Sequence, residues 1–128
     1  MTDAVFYPRA YVLNGCPFCL KLRIFLTEAG LASKVTFIVS VGHDDVQNAL
    51  FSHLKAAGLN ATFPAVEFEP GLFQLGADDL IARFARDADV DMSALPLLDY
   101  YTDGVFKRYG EMFLELRRAK QGAPPSDA

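Results

Sequence analysis

Cys16 and Cys19, separated by Pro17-Phe18, are the two cysteines of the chain and the residues best suited to carry chemistry. Residues three apart lie on one side of a helix, so a thiolate at Cys16 is within reach of Cys19 without large backbone movement. Two thiols that close reversibly into a disulfide form an electron carrier. If the tetrapeptide opens a helix, the unpaired N–H groups and dipole of the first turn favour negative charge and lower the pKa of the first cysteine. Pro17 suits the first helical position, where its missing N–H costs no hydrogen bond. An inert pair of packing cysteines is the alternative at this spacing, so the flanking elements matter.

Those elements follow from apolar periodicity. Tyr11-Val12-Leu13 is a short strand that enters Asn14-Gly15. Over 17–29, Phe18, Leu22, Phe25, Leu26 and Ala29 recur at helical spacing, and Gly30 is placed to end the helix. Val35-Thr36-Phe37-Ile38-Val39 is β-branched and apolar almost throughout, which predicts a central strand covered on both faces. A second helix is expected over 44–57, acidic in its first turn, with Val46, Leu50 and Leu54 as an inner stripe against the same sheet and Gly58 at its end. Ala65-Val66-Glu67-Phe68, the turn signal Pro70-Gly71, and Leu72-Phe73-Gln74-Leu75 read as an antiparallel hairpin. Asp78-Asp79 then opens a short amphipathic helix through Leu80, Ile81, Phe84 and Ala85. The order is β-α-β-α-β-β-α, an α/β protein.

A length of 128 residues with 52% hydrophobic residues predicts one compact domain with a real core. The formal charge of −4 leaves no broad basic surface, and basic residues are scattered except for Arg117-Arg118-Ala119-Lys120, so nucleic acid is not an expected partner. The first residues include acidic Asp3 and no basic stretch leading into an apolar core of about 7–15 residues, and no apolar run is long enough for a bilayer. A reducing cytoplasm and no membrane partner are therefore expected. Two cysteines without a matched histidine pair argue against a structural zinc site, and no metal is expected. His43, beside Asp44, and His53, in mid-helix, read as surface or packing residues.

Three separated motifs within residues 9–88 resemble the glutaredoxin family and also the related N-terminal domain of glutathione transferases. Cys16-Pro17-Phe18-Cys19 is similar to the glutaredoxin dithiol motif with an aromatic third residue. Thr62-Phe63-Pro64 resembles the family's threonine, apolar residue and cis-proline turn facing the active cysteine. Gly76-Ala77-Asp78-Asp79 resembles the signature that grips the γ-glutamyl end of glutathione. Three motifs in order, each beside the right element, carry more weight than any dipeptide match.

The resemblance implies a thioredoxin-like fold, with a four-stranded mixed sheet flanked by helices over residues 1–88 and a C-terminal helical extension over 89–128. It implies glutathione as co-substrate and Cys16 and Cys19 as the catalytic pair. Pro17, Phe18 and Pro64 would position substrate, and Thr62, Phe63, Gly76, Ala77, Asp78 and Asp79 would contact glutathione. A cis Pro64 would face the thiols without an N–H, while the Phe63 backbone pairs with a peptide-like substrate; an ordinary trans turn is the alternative. At Asp78-Asp79, helix N–H groups suit a carboxylate and the side chains suit an ammonium group, although plain capping also explains aspartates there. One position departs from the family: a lysine three residues before the first cysteine is replaced by Leu13. Lys21, Arg23 or Lys55 could supply that charge, or all three could be solvated helix residues.

The activity so implied is reduction of mixed or protein disulfides, with either Cys19 or a second glutathione resolving the Cys16 adduct. Two other classes stay open: a non-enzymatic carrier in which Cys16 from two subunits and two glutathiones hold a [2Fe–2S] cluster, against which Pro17 argues, and a transferase-like glutathione-binding module that uses its tail for a partner. Pro96 is placed to start one long helix to about Lys120, striped by Phe106, Tyr109, Phe113 and Leu116 and weakened by Gly104 and Gly110. About forty residues are too few for the transferases' second domain. The stripe is expected to pack back on the sheet domain, with a weak homodimer as the alternative to a monomer, and residues 121–128 are expected to be a disordered end.

Overall fold

Four strands and five α-helices, seen in a computed structural model, are described for residues 6–120; residues 121–128, expected to form a disordered end, lie outside the described residues. The order is β1 (Arg9–Leu13), α1 (Pro17–Glu28), β2 (Thr36–Ser40), α2 (Asp45–Ala56), β3 (Ala65–Glu69), β4 (Leu72–Leu75), α3 (Ala77–Asp87), α4 (Pro96–Tyr101) and α5 (Lys107–Lys120). Strands lie in the order β2-β1-β3-β4, with β1 parallel to β2 and antiparallel to β3, and β3 antiparallel to β4. The expected mixed four-stranded sheet flanked by helices is therefore present. No helix among the described residues is long and apolar enough to cross a membrane.

The run 35–39 is not the central strand that its composition suggests. Its structured part, β2, is a sheet edge with Val39 46% exposed, and β1 takes the centre between β2 and β3. Phe37 is instead covered in part by the Arg23 guanidinium, 4.3 Å from its ring centre. Such a cation lies over the ring while its charge stays in water.

Apolar side chains form two clusters. One joins Leu22, Phe25 and Leu26 of α1 to Ala10 and Val66 of the sheet, Leu80 and Ile81 of α3, and Leu95 and Leu98 of the extension. The other gathers Val12, Ala65 and Phe63 with Leu50 and Leu54 of α2 and both cysteines. Asp44 caps α2, accepting from the backbone N–H of Gln47 at 2.9 Å and from the buried Ser40 hydroxyl at 2.7 Å. These bonds, Gln47 foremost, hold its carboxyl below the usual range and fix where α2 begins.

The extension is not one continuous α-helix. Between α4 and α5, Thr102–Phe106 forms a π-helical stretch containing Gly104. Residues five apart diverge by about 140° around an α-helix, whereas the wider turn brings Tyr101 and Phe106 together with ring centres 5.7 Å apart. The stretch thus keeps the stripe facing α1.

The extension is anchored at both ends of α1. Glu28, the last residue of α1, accepts from the backbone N–H groups of Leu97 and Leu98, each at 2.8 Å. A carboxylate there satisfies two otherwise unpaired donors and suits the positive end of α4. At the other end of α1, the buried Tyr101 hydroxyl donates to the Pro17 carbonyl at 2.6 Å, and Tyr109 donates to the Gly15 carbonyl at 3.1 Å. Phe106 and Phe113 meet the ring of Phe18 edge-on at 5.2 and 6.3 Å. The aromatic stripe accordingly packs back on α1 and ends above the cysteines.

Candidate active site

A tight turn joins β1 to α1, with Gly15 at a φ of 84° and the Cys16 N–H donating to the Leu13 carbonyl at 3.2 Å. Positive φ is a conformation that glycine adopts without penalty. Cys16 is the N-cap of α1, Pro17 its first residue, and the Cys16 sulfur accepts from the Cys19 N–H at 3.4 Å. The thiols are free, and both are buried, at 4% and 3% exposure.

The two sulfurs have opposite acidities. Cys16 is lowered from 9.0 to about 7, chiefly by the hydrogen bond from the Cys19 thiol, which outweighs the opposing effect of burial; backbone N–H groups of Cys19 and Phe18 and the charge of Arg117 add to it. Cys19 is pushed well above the ordinary thiol range, first by sharing that hydrogen bond and then by burial and the Cys16 charge. Near neutral pH Cys19 keeps its proton while Cys16 is partly thiolate, and the thiolate fraction grows as pH rises above about 7. Alkylation of Cys16 should therefore rise with pH through about 7 and level off above it, rather than near 9.0. Cys19→Ala removes the largest cause and should move the midpoint upward; a pH series of iodoacetamide rates reads it, and an unmoved midpoint would assign the acidity to another group.

Two cavities meet at Cys16. One, of about 450 Å3, is walled by Leu13, Thr62, Phe63 and α2 residues on one side and by Phe113, Leu116, Arg117 and Lys120 of α5 on the other. The second, of about 340 Å3, also holds Cys19 and Pro17 and is closed by Tyr101, Val105 and Tyr109. The Phe63–Pro64 bond is cis, Pro64 is fully buried, and Phe63 forms part of the first cavity's wall.

The other motif residues are placed differently. Phe18 lines neither cavity and serves as the platform for Phe106 and Phe113. Gly76 caps α3, Ala77 is buried, and Asp78 accepts from the Lys21 ammonium at 2.7 Å. Gly76 to Asp79 do not line the cavities that hold Cys16. Of the cations proposed to replace a lysine at position 13, Lys21 is engaged by Asp78 and the Phe106 ring, Arg23 lies over Phe37 and lines the second cavity, and Lys55 lines neither cavity. His53 stacks on Phe73, a packing role, whereas His43 lines the larger cavity.

Sequence reasoning missed Tyr101, Arg117 and Lys120. The basic cluster near the end was visible, but nothing local to it said that the helix would fold back to Cys16. No protein-family model and no curated protein matches the chain.

Proposed function

We propose that the protein is a glutaredoxin-like thiol–disulfide oxidoreductase on a thioredoxin-like fold, using glutathione as its electron source. The observation that carries this reading is the acidic Cys16 at the start of α1, backed by a protonated Cys19 and opening on a cavity walled by Thr62 and Phe63, the two residues before the buried cis Pro64.

The Cys16 thiolate attacks one sulfur of a substrate disulfide; the substrate S–S bond breaks, a Cys16–substrate disulfide forms, and the other sulfur leaves as a thiolate that takes a proton. Cys16 then carries no charge, which removes the charge and hydrogen bond that keep Cys19 protonated. Cys19 loses its proton and attacks Cys16, releasing the second substrate thiol and leaving a Cys16–Cys19 disulfide. Two electrons have passed to the substrate. Two glutathione thiols return them and leave as oxidised glutathione, with Cys16 as the sulfur attacked.

The experiment is incubation of Cys19→Ser protein with oxidised glutathione followed by mass spectrometry. One glutathione bound through Cys16 is expected. No adduct would point to a reductase fed by another electron donor.

A further inference from the structure

Arg117 helps to lower the pKa of Cys16, but the exchange step gives the cationic wall of the larger of these two cavities no other task. Phe113, Leu116, Arg117 and Lys120 stand at i, i+3, i+4 and i+7 on α5, which puts them on one helical face, and all four line the cavity that holds Cys16. Seven residues of helix rise about 10 Å, the span of about three extended residues. The face starts apolar, with Phe113 against Phe18, and ends cationic.

Across from it stand Thr62, Phe63, Gln47 and His43, and no carboxylate among the described residues lines the space, although the chain carries a net −4. Among the described residues neither Arg117 nor Lys120 belongs to an ion pair. Leu13 contributes only an apolar wall to the same cavity. The cavity therefore offers a nucleophilic sulfur, an apolar wall and two cations that form no ion pair among the described residues.

We propose that Arg117 and Lys120 form a carboxylate-binding subsite, so that the favoured substrate is a thiol or disulfide joined to a carboxylate through a short peptide-like linker. This rests on the exchange reaction proposed above and names the element that selects its substrate. Arg117 presents a planar fork suited to a carboxylate, and Lys120 adds a mobile point charge beside it. The charge is supplied by the extension, not by the strand-to-helix turn that holds Cys16.

S-methylglutathione, a thioether that carries the carboxylates but cannot exchange, tests the subsite by calorimetric titration into the full chain. The parent should bind, and Arg117→Gln with Lys120→Gln should weaken binding at least about tenfold. Arg118→Gln, at a position lining neither of the cavities that hold Cys16, should leave affinity unchanged. Exchanging the cations, Arg117→Lys with Lys120→Arg, should restore most of the binding and so separate charge from helix integrity. Equal affinity in the parent and the double Gln variant, or no binding by the parent, would overturn the proposal. Failure here with a Cys16 adduct still forming leaves the exchange reaction standing; binding without an adduct keeps the subsite and rejects the exchange.

Discussion

Cys16→Ser is expected to abolish glutathione-coupled disulfide reduction, with a fall of at least about a thousandfold. A serine hydroxyl is not ionised near neutral pH, and its oxygen cannot enter the disulfide exchange cycle. The substitution is mild for the fold, because serine is itself a favoured N-cap and can accept from the same Cys19 N–H. Thermal melting close to the parent's would separate loss of chemistry from loss of structure. Cys19→Ser should behave differently: a glutathione mixed disulfide can still be resolved by a second glutathione, whereas a protein disulfide loses its intramolecular resolver. A small-disulfide assay of both variants decides between the monothiol and dithiol routes, and full activity in Cys16→Ser would remove the catalytic assignment.

Phe25→Ala should destabilise the protein by about 3–5 kcal/mol, a large part of the roughly 5–15 kcal/mol that holds a typical domain together. Phe25 is fully buried in α1 and belongs to the cluster that joins α1 to the sheet, α3 and the extension. Its removal empties a space bounded by several elements that cannot all close in together. Denaturant unfolding measures the loss, which should appear as a lower midpoint with little change in slope. A loss below about 1 kcal/mol would place the main support of α1 elsewhere.

The parts legible from sequence were those governed by nearby residues. The start of α1 could be read from Cys16-Pro17 because a cap and a first-turn proline act locally, and the β3–β4 hairpin could be read from Pro70-Gly71 for the same reason. The place of 35–39 could not, since sheet order depends on which strands pair at long range. An apolar run looks alike at an edge and at a centre until its neighbours are known. Nor could the break at Thr102–Phe106 be located, although Gly104 marked a weakness; the π-helical stretch serves contacts with α1 that lie far back in the chain.

The site divides along the same line. The sequence by itself determined that two thiols stand three apart at a helix start, and that Thr62-Phe63-Pro64 follows at the head of a strand. Tertiary structure alone decided that both sulfurs are buried, that Asp78 is engaged by Lys21, and that Arg117 and Lys120 reach the cavity of Cys16. The physical reason is the docking of the extension along α1. Glu28 holds its beginning, while Tyr101 and Tyr109 hold it to the turn beside Cys16. A cap is set by its own few residues, but a cation's distance from a distant thiolate is set only when the packed helices between them are in place.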